Sequence, residues 1–214
     1  MRQIQKGSPP RCLIEANARP GSTYDDVQDK HSLRQALVAD QRGLCCYCLR
    51  RIVLEAEGFL PTIKIAHWNS QREFPEQQLS YRNLLGACKG GEGMRPSMQH
   101  CDTYQRDRKL KWSPAEPNHP VESTIYFGSD GAIYSTDAEF NDQLHDVLHL
   151  NLEVLKTERR FVLDAFLKSL GTKQLARKRW ERILEKENGE NYQGELGEHC
   201  QIVVWWLRKK LSRL

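Results

Sequence analysis

The placement of the cysteines constrains this chain more than any other feature. Cys45 and Cys48 stand two residues apart in the run CCYC, the spacing at which a tight turn aims two thiolates at one ion. Cys88 in YRNLLGACKGG and Cys101 in QHCD supply a second pair, separated by twelve residues rich in glycine. Four sulfurs close a tetrahedron, so the expectation is a structural Zn²⁺ site, worth on the order of 10 kcal/mol of folding free energy in small metal-dependent modules. Cys12, Cys46 and Cys200 have no partner spacing and read as buried or free. A redox reading of the CxxC would need a thioredoxin-like βαβ pattern with the pair at a helix N-terminus; the residues after CCYC predict a hairpin instead.

The chain has 214 residues, 39% of them hydrophobic, enough for one domain with a real core or two small ones. No apolar run reaches the roughly 18 residues needed to span a bilayer, and the opening MRQIQKGSPP is not the apolar stretch of a signal peptide. The expectation is a cytoplasmic protein without a membrane partner, in which seven cysteines serve a metal or the core rather than a disulfide framework.

Residues 1–28, polar and carrying GSPP and ARPGS, predict an extended N-terminal arm. A helix follows, with Ser32 as its candidate cap, Leu33, Ala36 and Leu37 on one face, and Gly43 at its end. Ile52 and Val53 predict a strand, Gly58 a turn, and Thr62 to Ala66 a second strand, a hairpin with His67 at its exit. Residues 75–100 read as loop, and a basic helix is predicted from about Asp102. STIYFGSDGAIYS, residues 123–135, predicts a hairpin turning at Ser129, Asp130 and Gly131. Helices are predicted over about 138–170, 172–187 and 198–213. Leu148, Leu152, Leu155, Val162 and Phe166 form a core-facing stripe in the first, interrupted by Arg159, and IVVWWLRKKL reads as a buried amphipathic helix. The fold class expected is α+β, with a zinc-stapled core over 29–112 and a hairpin plus helical region over 113–214.

Formal charge is +4, and four thiolates on one Zn²⁺ would leave about +2, so net charge alone argues only weakly for nucleic acid. Local runs say more: RDRKLK at Arg106 to Lys111, RKRWER at Arg177 to Arg182 and RKKLSR at Arg208 to Arg213 could each touch phosphates, or simply be solvated helix faces.

A hairpin leaving at His67, Asn83 sixteen positions on, and a helix opening at Cys101-Asp102 together resemble the ββα-metal core of HNH nucleases. The opening MRQIQKG, then CCYC, IAHW, YRNLLGACKGGEG and HCDTYQRDRK in that order, resemble the PtuB family of Septu and retron-linked anti-phage defence. The specific motifs cover residues 45–109; beyond them the likeness is one of layout.

The resemblance implies an endonuclease in which zinc on Cys45, Cys48, Cys88 and Cys101 clamps hairpin to helix. It implies His67 as the base that activates water, Asn83 as the residue steadying the loop and its histidine, and Asp102 as a ligand of a catalytic Mg²⁺ or Mn²⁺. Arg106, Arg108, Lys109 and Lys111 are then the expected nucleic-acid contacts. The implied partners are a PtuA-like SMC/ABC-type ATPase, a retron reverse transcriptase with its multicopy single-stranded DNA, and a DNA or RNA substrate, tRNA included. In one position the sequence departs from the pattern: the residue before the histidine, commonly Asp, Glu or His, is Ala66. Asp102 with water and substrate phosphate, or His100, would then have to hold the ion; otherwise the chain is a zinc-stapled assembly module with weakened catalysis.

Overall fold

The computed structural model describes residues 1–54, 61–171, 175–190 and 194–214. The class is α+β: two small antiparallel sheets and a helical half. The sequence-predicted turn at Gly58 lies outside the described residues.

Residues 1–28 are not extended throughout: 1–10 have no regular structure, but helices follow. Helix α1, Arg11–Asn17, buries Leu13 and Ala16, and Met1 and Ile4 join the same core. Periodicity was hidden because only two positions of so short a helix face inward. Helix α2, Lys30–Asp40, buries Leu33 and Leu37; its cap is Asp29, whose carboxylate accepts from the backbone N–H of Ser32. Ser32 instead donates its hydroxyl to Asp29 at 2.5 Å.

Strand β1, Ile63–His67, pairs antiparallel with β2, Leu84–Cys88, in the register His67 opposite Leu84 and Ile63 opposite Cys88. This corrects the expected pairing of 52–53 with 62–66. Val53 does meet Thr62 (Thr62 N–H to the Val53 carbonyl, 3.0 Å), but the ladder belongs to LLGAC. That stretch is buried throughout, so it shows no alternation, and the glycines after it disguise it as loop. Helix α3, Cys101–Gln105, is a single turn ending at Arg106, whose φ is +55°; the basic residues after it are therefore not helical as expected.

Helix α4, Val121–Thr124, leads into β3, Ile125–Phe127, and β4, Ile133–Ser135, the predicted second hairpin. Gly131 in its turn has φ +85°, and a Cβ there would meet the Lys156 carbonyl oxygen at 2.2 Å. The predicted 138–170 helix is interrupted. Helix α5, Ala138–Asp142, runs into one π-turn at Gln143–Val147, and helix α6 begins only at Glu153. Leu148 is buried in the break, and Leu152 caps α6 without a side-chain bond. Arg159, the interruption in the stripe, is buried and donates to the carbonyls of Gly131 (2.5 Å) and Leu150 (2.8 Å), riveting α6 to the hairpin turn.

Helices α7, Arg177–Asn188, and α8, Cys200–Leu211, complete the chain. Ile202, Val203, Val204 and Leu207 are buried while Trp205 and Trp206 lie at the core's edge. One continuous hydrophobic core runs from Met1 to Leu211, so residues 29–112 and 113–214 share an interior. No helix among the described residues is long and apolar enough to cross a membrane.

Candidate metal centre and the His67 loop

The four predicted cysteines converge. Cys45, Cys48, Cys88 and Cys101 are all buried, with their sulfurs within 4.8 Å of one another. Cys45 and Cys101 are 3.9 Å apart and Cys48 and Cys88 3.6 Å. A tetrahedron with Zn–S bonds of about 2.3 Å needs S···S separations of about 3.8 Å, so the set fits Zn²⁺. The chemistry agrees. Burial pushes the Cys48 and Cys101 thiols up, while hydrogen bonds from the neighbouring sulfurs outweigh burial at Cys45 and hold it down. Zn²⁺ binds thiolates, so a dication at the centre of the cluster would favour their ionised form. Cys46 and Cys200 are buried and Cys12 half-buried, outside the set.

Each half-site is bent into shape locally. Three residues past the end of α2, Gly43 has φ +77°, and a Cβ there would meet an Arg51 nitrogen at 2.3 Å. Cys45 N–H then bonds the Arg50 carbonyl, and Leu49 N–H the Cys45 carbonyl, so the chain reverses around the CxxC. At the second half-site Gly90, φ +55°, leaves no room for a side chain: a Cβ would meet the His100 carbonyl oxygen at 2.1 Å. His100 N–H returns a 2.9 Å bond to the Gly90 carbonyl. That closure returns Cys101 to Cys88 across the glycine-rich insertion.

His100 is an outer support of this centre. Its Nδ1 lies 3.1 Å from Cys101 Sγ and its Nε2 3.3 Å from Arg50 Nη1. Burial, and then the Arg50 charge, lowers its pKa to about 4. The neutral ring therefore donates from Nδ1 to sulfur and accepts at Nε2. Its lone pair is committed to Arg50, which makes it a support of a ligand rather than a ligand. Sequence spacing missed a second support: buried Gln41 donates to the carbonyls of Leu44 and Gly86 at 2.7 Å each and accepts from Gly86 N–H at 2.6 Å.

His67 closes β1 and is 9% exposed. Tyr24 meets its ring edge-on with centroids 4.7 Å apart. Its Nε2–H donates to the Gln78 carbonyl at 3.1 Å, leaving the Nδ1 lone pair to the exposed Gln71 amide at 3.3 Å. Burial holds its pKa below the ordinary value, against the opposing pull of the Gln78 bond. Asn83 clasps the loop between strands: its Oδ1 accepts from Asn69 N–H at 2.7 Å, and its amide donates to the Asn69 and Gln77 carbonyls at 3.0 and 3.1 Å.

Asp102 belongs to the other face of the strand. Its carboxylate is 3.3 Å from Lys64 Nζ, which also lies 3.5 Å from Glu92 and 3.2 Å from the Thr103 hydroxyl. Burial raises the Asp102 pKa, and the Lys64 charge only partly offsets this. Side chains alternate across a strand, so Ala66 shares the Lys64 and Asp102 face while His67 turns to the opposite one. The structure thus groups the cysteines together, and His67 with Asn83 on one loop, but gives His67 and Asp102 separate partners.

The expected nucleic-acid contacts divide. Arg108 spends its guanidinium on the carbonyls of Gln105, Tyr104, Asp146 and Val147, and Lys111 pairs with Asp137 at 2.7 Å and Glu139 at 3.2 Å. Both carry internal structural duties. Arg106 is exposed, and Lys109 lies 5.0 Å over the Phe74 ring. Compared with models of known protein families and with curated proteins, the chain matches none.

Proposed function

We propose that this chain is an HNH-type endonuclease, a zinc-stapled ββα unit that hydrolyses phosphodiester bonds of DNA or RNA. The carrying observation is His67: an imidazole at a strand end, fixed at Nε2 by the Gln78 carbonyl, with its Nδ1 facing the exposed Gln71 side chain. A base must accept a proton near neutral pH from water placed within hydrogen-bond reach. Displacement of Gln71 opens that position, and Asn83 keeps the loop from following.

A divalent cation, when bound, would neutralise charge developing on the phosphate and the leaving oxygen. Asp102 is the residue to hold it, and the Lys64 ammonium already marks a cation position between the Asp102 and Glu92 carboxylates. Hard oxygen donors in that pair suit Mg²⁺ or Mn²⁺. The zinc centre contributes rigidity to β2 and α3, and no open coordination position. On this reading the chain is a PtuB-like toxic effector of anti-phage defence, held by a PtuA-like ATPase and, in a retron setting, by the reverse transcriptase and its multicopy DNA.

A second reading has a specific observation behind it. Ala66 offers no ligand on the cation face, and Lys64 already satisfies Asp102, as suits a zinc-stapled assembly module with catalysis weakened. Cleavage of labelled DNA and total RNA in Mg²⁺, Mn²⁺ and EDTA, with and without the ATPase, separates the two. Metal-dependent cutting lost in His67→Ala supports the nuclease; no cutting in any condition supports the module.

A further inference from the structure

We infer that the paired helices α7 and α8 carry a second nucleic-acid contact, a phosphate-backbone clamp remote from His67 along the sequence. Two basic runs some thirty residues apart are brought to one end of the molecule by antiparallel packing. Arg2 fixes the direction: it bonds the Asn188 carbonyl at the end of α7 and Cys200 at the start of α8. At the other end Lys210 lies 5.9 Å over the Trp180 ring, and Trp206 meets Trp180 at 5.9 Å. Arg177, Lys178, Arg179 and Arg182 therefore gather with Lys209, Lys210 and Arg213.

Few of these charges are answered from within. Arg177 pairs with Glu181 at 3.1 Å. Among the described residues, Lys178, Arg179, Arg182 and Arg213 are exposed and have no carboxylate within ion-pair distance. The first turn of α7 holds no acidic residue. Cations there oppose the helix macrodipole, a placement that costs rather than stabilises. A polyanion laid across the patch reverses the sign of both terms.

The geometry favours nucleic acid over an anionic membrane. Interfacial helices bury an apolar face in lipid, whereas the apolar residues here, Trp180, Leu207 and Leu211, are spent against the protein core. What remains outward is charge, with Lys209 over Trp205 at 4.9 Å and Lys210 over Trp180 holding two ammonium groups in place on aromatic faces.

The inference deepens the nuclease reading, and its test is independent of cleavage. Fluorescence anisotropy of a labelled 30-base-pair DNA and a labelled single-stranded RNA is measured over a salt series for the full chain. The variants are Arg179→Glu/Arg182→Glu and the exposed control Arg11→Glu. Removing two phosphate contacts should weaken binding at least about tenfold at 0.1 M salt and flatten the log–log salt slope by about two. Arg11→Glu should bind like the parent. Circular dichroism checks that α7 persists, and Arg179→Gln/Arg182→Gln, which removes charge without adding repulsion, should show an intermediate loss. Unchanged affinity and slope in both double variants overturns the clamp, as does variant-sensitive binding to phosphatidylserine vesicles with none to nucleic acid.

Discussion

Arg50 holds Glu158 at two points, Nη2 at 2.5 Å and Nε at 2.7 Å, and so ties the first cysteine turn to helix α6. Glu158 also accepts from His199 Nε2 at 3.1 Å, just before α8, while Arg50 reaches His100 beside Cys101. Burial pushes the Glu158 pKa up, but the Arg50 bonds and charge prevail and hold it low. One carboxylate thus links metal centre, α6 and α8. Glu158→Ala should cost about 1–2 kcal/mol in urea unfolding, because it strands a half-buried guanidinium. Arg50→Met/Glu158→Leu should recover part of that. Equal stability of parent and Glu158→Ala would show the link to be inert.

The metal centre predicts a larger effect. Cys48→Ser should abolish stoichiometric zinc in purified protein and lower soluble yield, because three sulfurs and a hydroxyl do not reproduce a closed thiolate site. Cys46→Ser, outside the set, should retain one zinc. Elemental analysis with thermal unfolding checks both, and full zinc occupancy in Cys48→Ser would remove Cys48 from the ligands.

How far the sequence reveals this architecture depends on what signal each residue leaves. Spacing exposes Cys45 and Cys48, and turn chemistry exposes the 125–135 hairpin. The partner of β1 stays hidden because Leu84–Cys88 is buried on both faces and carries no period. The break before α6 stays hidden because Leu148 and Leu152 keep helical spacing through a segment that is not helical. Gln41 leaves no signal and Arg159 only a gap in an apolar stripe: the value of both lies in backbone carbonyls that only the fold delivers. Asn83 is picked out only by the resemblance to HNH nucleases, and its three backbone bonds supply a physical reason for an asparagine there.

Lys64 competes with any cation for Asp102. Lys64→Ala should raise Mn²⁺ affinity by about tenfold, read by electron paramagnetic resonance titration, since removing an ammonium 3.3 Å away leaves a buried carboxylate seeking charge. Asp102→Asn should lose that binding. Identical Mn²⁺ titrations for parent, Lys64→Ala and Asp102→Asn would take Asp102 out of the proposed cation site.

On the proposed nuclease function, the pH dependence of cleavage follows from the setting of His67. A base works deprotonated, and burial keeps this imidazole neutral to lower pH than the ordinary value of about 6.5. The acid limb of kcat/KM should therefore have its midpoint below 6.5. Tyr24→Ala, which removes the ring packed edge-on against it, should wet the imidazole and move that midpoint up toward 6.5. The same shift has a stability counterpart. Between the folded and unfolded pKa values the unfolded chain binds more protons, so the contribution of a neutral buried His67 is fully present above about 6.5 and declines as pH falls through it. His67→Asn should flatten that part of the stability profile while abolishing cleavage. An acid limb centred above 6.5 in the parent, unmoved in Tyr24→Ala, would mean that some other group supplies the base.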